Sequence, residues 1–124
     1  MMQVQEIFFY LYVSDMSRAT SFYVDAFGAI VDFSSPTWSS LVIAGVRVNL
    51  VLREDEWMST GMHFIVDDVA LACGAVARAG GEITPALEEP YAVIAEVVDT
   101  EGNTFTLRQL RGNRNVAAAK LVAA

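Results

Sequence analysis

Tyr12-Val13-Ser14-Asp15-Met16-Ser17-Arg18-Ala19 is a strand running into a helix, and the same join returns downstream as Val66-Asp67-Asp68. Ahead of the first join, Phe9, Leu11 and Val13 alternate with Phe8, Tyr10 and Tyr12, the two-residue period of a strand. Both sets are apolar or aromatic, which predicts burial on both faces. Ser14 and Asp15 carry the short side-chain oxygens that cap a first helical turn. Met16, Ala19, Tyr23, Ala26 and Phe27 then fall at helical spacing until Gly28 offers a C-cap.

Past Gly28 the signals are those of strands: about Ala29 to Phe33, a turn at Ser34-Ser35-Pro36, Trp38 to Ile43, and a tight turn at Ala44-Gly45. A fourth strand sets Val46, Val48, Leu50 and Leu52 on one face and Arg47, Asn49 and Val51 on the other. The order is βαβββ. After a polar linker from Arg53 to Thr60 it begins again, with Met62, Phe64 and Val66 opposite Gly61, His63 and Ile65. Asp67 and Asp68 cap a helix through Val69, Ala72, Cys73, Val76 and Ala79, which Gly80-Gly81 ends. Strand signals follow around Glu82 to Thr84, Ala92 to Val98 and Thr104 to Leu110, with a turn at Asp99 to Asn103. The second half matches the first apart from four extra residues in its middle. Two such halves read as one pseudo-symmetric domain over residues 1–110, with modules at about 5–53 and 60–110, because a four-stranded sheet with one helix cannot bury both faces alone. Residues 111–124 read as an alanine-rich tail that forms a short terminal helix or frays.

With 124 residues the chain needs neither disulfide nor metal to build a core. Its apolar runs fall well short of the ~20 residues that span a bilayer, and no basic start precedes an apolar signal core, so a soluble cytoplasmic protein is expected. Cys73, the single cysteine, agrees with a reducing compartment and reads as a core thiol. A net charge of −7 repels phosphate backbones and anionic lipid, which argues against nucleic acid and membranes as partners.

The segments Tyr12 to Ala19, Phe22-Tyr23, Phe27-Gly28 and Val98-Asp99-Thr100-Glu101-Gly102-Asn103 together resemble the vicinal oxygen chelate superfamily. That group holds glyoxalase I, extradiol dioxygenases, fosfomycin-resistance enzymes and metal-free bleomycin-resistance proteins. The resemblance covers about residues 5–110. It implies an α+β fold of two βαβββ modules, with curved mixed sheets, helices on the outside and a concave surface that a homodimer usually completes. In the metalloenzymes of the group, ligands project from the first and last strands of each module. Carried over by the capping aspartates and closing strands, those positions fall on Phe8, Gly61, Asn49 and Thr106. A ring, a hydrogen, an amide and a hydroxyl hold divalent transition metals poorly, so no metal and no cofactor are expected. A shift of two residues brings His63 onto the same row, still without a carboxylate.

Strand alternation puts Phe8, Tyr10, Tyr12, Arg47, Asn49, His63, Thr106 and Arg108 on the implied concave surface. The aromatic residues, with Trp38, can stack on a planar or cationic group, and Asn49, Thr106 and the tyrosine hydroxyls can orient it. These nine residues are the expected ligand-binding set; no catalytic residue is assigned. Alternatively the aromatic side chains, and Trp57 with them, fill a core or a dimer seam. An inward Arg47 or Arg108 would instead hold a carboxylate. His63, the sole histidine, reads as a hydrogen-bonded cavity-wall residue, and Glu96 as solvent-facing or as a pocket acid. The expected function is metal-free binding, sequestering an aromatic or cationic natural product or antibiotic in a dimeric cleft. Two alternatives stand beside it: a glyoxalase-, lyase- or isomerase-like enzyme with an atypical metal site, and a degenerate dimerising scaffold.

Overall fold

The first join forms as its residues dictate. β1 (Phe8–Val13) hands over to α1 (Met16–Phe27), whose N-cap Asp15 sits in extended backbone and accepts from the Arg18 N–H at 3.0 Å. Gly28 closes the helix at φ 65°, a left-handed conformation that a Cβ disfavours. β2 (Ile30–Ser34), β3 (Trp38–Ile43) and β4 (Val46–Leu52) follow. Ala44 and Gly45, both at positive φ, make the two-residue β3–β4 hairpin. β4 returns parallel to β1, giving the order β1-β4-β3-β2.

The second pass gives β5 (Ser59–Ile65), α2 (Val69–Arg78) capped by Asp68, β6 (Glu82–Ile83), β7 (Leu87–Glu88), β8 (Ala92–Val98) and β9 (Thr104–Leu110). The order is β5-β9-β8-β6, with β7 added against β8. The extra residues of the second half thus supply a short strand absent from the sequence reading. This computed structural model describes residues 1–111, so the expected tail lies, beyond Arg111, outside the described residues. Among them, no helix is long and apolar enough to cross a membrane.

Each helix packs on one face of its own sheet, and both faces drain into one core. Leu11, Val13, Leu41, Val48 and Leu50 enter it from the first sheet, and Val97, Phe105 and Leu107 from the second. Cys73 is buried there, and burial pushes its thiol up. α1 joins the halves: Phe27 meets Phe64 edge-on at 4.9 Å and Phe105 at 5.6 Å. Phe22, only 1% exposed, belongs to this core although the helical stripe read from sequence omitted it.

One expectation fails at β1. Leu11 and Val13 are buried, but Phe8 is 52% and Tyr10 46% exposed. No helix covers that face, so an aromatic face was mistaken for a buried one.

A carboxylate clip ties the second module to the first join. Glu101, in the β8–β9 turn, accepts from Ser14 N and Asp15 N at 2.9 Å each and from Arg18 Nε at 2.7 Å. Burial pushes its carboxyl up, but the bonds from Arg18, Asp15, Thr100 and Ser14 outweigh this and hold it at about 2. Beside it Asp99, 4% exposed, accepts from Tyr23 Oη at 2.6 Å and from the Glu101 and Asn103 N–H groups. Asn103 in turn donates to the Tyr12 carbonyl at 2.8 Å and accepts from Met58 N at 2.9 Å.

Candidate functional site

The residues with chemistry lie on the two sheet faces that the helices leave open. On the first sheet the parallel register sets Phe8 beside Arg47, Tyr10 beside Asn49 and Tyr12 beside Val51. Side-by-side residues share a face. Across β4, Trp38 pairs with Val51 and Ser40 with Asn49, and Phe33 pairs with Ser40 from β2. One surface therefore carries Phe8, Tyr10, Tyr12, Trp38 and Phe33. Phe33 and Trp38 stack at 4.4 Å, Tyr10 and Tyr12 stand 5.6 Å apart, and the Arg53 guanidinium lies 5.8 Å over the Tyr12 ring. Phe33 was missed by sequence reading because the bulge between Val31 and Phe33 switches its face.

The polar groups of this face are unequally satisfied. Arg47 donates to Glu6 at 2.9 Å, to Asp32 at 2.8 Å and to Ser40 Oγ at 2.6 Å, so its charge is already matched. Asn49 Oδ1 is covered and has no hydrogen-bond donor among the described residues. A buried acceptor left open is costly and uncommon.

On the second sheet His63 pairs with Thr106 and Ile65 with Arg108, while Glu96 pairs with Thr106 from the other side. His63, Thr106 and Glu96 therefore form a row across three strands. Glu96, whose face the sequence left open, is on this uncovered side and exposed. Arg108 Nε donates to His63 Nδ1 at 3.0 Å. Because Nδ1 accepts, the neutral imidazole carries its proton on Nε2. Burial and the adjacent Arg108 charge hold its pKa below the usual range.

The nine expected ligand residues thus divide between sheets: Phe8, Tyr10, Tyr12, Trp38, Arg47 and Asn49 on the first, His63, Thr106 and Arg108 on the second. Trp57 belongs to neither open face; it is exposed and lies against Gly102. The positions read as metal sites do not come together as pairs, since Phe8 stands beside Arg47 and Gly61 falls in an irregular stretch between Ser59 and His63. Gly61 is at φ 71°. Nor does the donor chemistry suit a metal: Phe8 and Gly61 have no donor, Asn49 and Thr106 offer neutral oxygens. Among the described residues, no group of three His, Cys, Asp or Glu side chains is placed to hold an ion.

A separate cleft of about 660 Å³ runs along the free edge of β5. Phe9, Ile43, Val46 and Val48 line one side, Phe27 and Phe64 the floor, and Gly61, His63 and Ile65 the rim.

Comparison with known proteins places this geometry. A family model described as the Glyoxalase/Bleomycin resistance protein/Dioxygenase superfamily matches residues 4–107. Among solved structures, the bleomycin-binding protein of bleomycin-producing Streptomyces verticillus, complexed with copper(II)-bleomycin, aligns with a TM-score of 0.64 at 22% identity, covering 91% of this chain and 100% of that one. TnmS3, an antibiotic binding protein from a Streptomyces species, gives 0.68 at 23% identity, covering 90% and 100%. The fosfomycin resistance protein FosX of Listeria monocytogenes, complexed with Mn(II) and sulfate, gives 0.75 at 16% identity, covering 96% and 99%. No curated protein sequence matches the chain significantly. At these identities the structural likenesses establish the fold.

Proposed function

Because the chain belongs to the Glyoxalase/Bleomycin resistance protein/Dioxygenase superfamily, whose fold carries both antibiotic binders and a Mn(II)-holding resistance protein, we propose that it is a binder. In this reading it sequesters a small aromatic compound without using a metal. The observation that carries this reading is the uncovered face of the first sheet, which gathers the five aromatic side chains Phe8, Tyr10, Tyr12, Phe33 and Trp38, with Phe8 at a position where the metalloenzymes carry a ligand. Flat rings on a rigid sheet offer stacking area at low entropic cost. A cation is the weaker of the two ligand types expected, since Arg53 already lies over Tyr12. In the proposed assembly a second copy of the chain covers this face and closes the binding cleft.

Native mass spectrometry of the purified protein, with metal analysis on the same sample, tests the proposal. We expect a metal-free dimer that retains or takes up aromatic guests, with Tyr10→Ala or Trp38→Ala weakening them about tenfold, the scale of a lost stacking contact. One tightly bound Mn, Ni, Zn or Fe per chain would overturn it. Turnover of a hemithioacetal by such a metal-loaded sample would favour the lyase reading, for which the His63–Thr106–Glu96 row is the supporting feature.

A further inference from the structure

We propose that the groove between the start of α2 and the β6–β7 segment is the docking surface for the chain's own alanine-rich tail, Val116 to Ala124. The inference is independent of the aromatic-face reading. The groove holds about 430 Å³ and is lined by Ala70, Cys73, Ile83, Pro85, Ala86 and Val93. The first module has a counterpart between the start of α1 and the β2–β3 turn, lined by Ser17, Thr20, Ser21, Ser34 and Ser35. Counted from the capping aspartates Asp15 and Asp68, Ala70 stands where Ser17 does and Cys73 where Thr20 does. The hydroxyls of the first groove suit it to water. Its counterpart has lost them, and Ile83 and Leu87 in its wall segment stay 40% and 64% exposed. The repeat is thus its own control: the apolar groove is the one at which the described chain ends.

The occupant follows from that end point. Arg111 lines the groove, its N–H donating to the Tyr91 carbonyl at 2.8 Å and its guanidinium meeting Glu88 at 3.4 Å. Residues 112–124 lie outside the described residues, and their sequence fits them to the groove. Gly112-Asn113-Arg114-Asn115 is a polar spacer that reaches at most about 14 Å. Val116-Ala117-Ala118-Ala119-Lys120-Leu121-Val122-Ala123-Ala124 then offers small aliphatic side chains like those of the groove wall. Charge agrees: all fifteen acidic residues precede the tail, which carries Arg114 and Lys120. Of the two acids on the rim, Glu88 is met by Arg111, and Asp68 has no ion pair among the described residues.

Two residues that occur once make the test specific: Lys120 is the sole lysine and Cys73, in the groove wall, the sole cysteine. A zero-length carbodiimide cross-link, run on an equal mixture of isotopically light and heavy full chain, should join Lys120 to Asp68 or Glu88 within single molecules. This map needs no variant. Alkylation of Cys73 by iodoacetamide should be about tenfold slower in the parent than in Leu121→Asp/Val122→Asp, because the thiol is reached only when the tail lifts. Ala70→Gln, at an exposed position of α2, should remove the cross-links. Circular dichroism melting checks that both variants keep the parent fold. Lys120 links spread over acids throughout the chain overturn the proposal, as does an alkylation rate unchanged in the folded tail variant. Links only between light and heavy molecules overturn it too, and assign the groove to a second copy.

Discussion

Glu101 shows how one carboxylate couples two halves of a chain. Its folded pKa of about 2 lies below the ordinary 4.5, so it contributes stability above the unfolded value, and that contribution is lost as pH falls from about 4.5 toward 2. Full linkage of this shift is about 3 kcal/mol. Arg18 is half exposed, so solvent screening reduces the expected share to about 1–2 kcal/mol. Asp99 works oppositely: burial raises its pKa despite bonds from Tyr23, Glu101 and Asn103, so its contribution favours the protonated form and offsets part of the acid loss. Denaturant unfolding should show Glu101→Gln less stable by about 1–2 kcal/mol at pH 7, with a smaller difference from the parent at pH 3. An undiminished difference at pH 3 would show that shape, not charge, makes the clip. The turn holding these residues was legible in Asp99-Thr100-Glu101-Gly102-Asn103. The partner of Glu101 was not, because a contact spanning the chain from Ser14 leaves no periodic trace.

At the scale of elements, period fixed most of what folds. β3, β8 and β9 begin and end where alternation and turn residues put them, and both helices follow their capping aspartates. Alternation does not say which of two apolar faces meets a helix, and β1 is the case in point. Leu11→Ala should cost about 2–5 kcal/mol, since it opens a cavity in the shared core. Phe8→Ala and Tyr10→Ala should stay within about 0.5 kcal/mol while weakening ligand binding. Thermal unfolding of the three variants measures this; comparable losses would mean the aromatic face is covered in solution. Gly81 is a close-approach position of the same kind. A Cβ there would meet Phe22 at 2.7 Å and Val76 at 2.8 Å, so Gly81→Ala should destabilise by about 1–3 kcal/mol through overpacking. The site was less legible than the elements. Phe33 was hidden by a bulge, and the Arg108–His63 bond depends on β5 lying beside β9, which sequence spacing leaves open by two residues.

Considered whole, the molecule is two repeats that share one interior, and the shared interior determines how it unfolds. Phe27 reaches from α1 to Phe64 and Phe105, Tyr23 donates to Asp99, and Glu101 reaches back to Ser14 and Arg18. Removing either half strips apolar area from the other and strands Asp99 without one of its donors. Cooperative loss of both halves is therefore expected even though each repeat has its own sheet and helix. The chain carries its own probes for this, one per half: Trp38 stacks on Phe33 in the first sheet, and Trp57 lies against Gly102 at the closing hairpin of the second. Trp57→Phe leaves a reporter of the first module and Trp38→Phe a reporter of the second. In urea, both single-tryptophan proteins should give midpoints that coincide with the circular dichroism transition of the same sample. Phe27→Ala, which cuts the ring contacts between halves, should move both midpoints down together by an amount equivalent to about 2–4 kcal/mol. A Trp38 transition that separates from the Trp57 transition in the parent protein would show that the repeats are independent domains. Separation only in Phe27→Ala would instead locate the coupling in α1, leaving the Glu101 clip unable to hold the halves together alone.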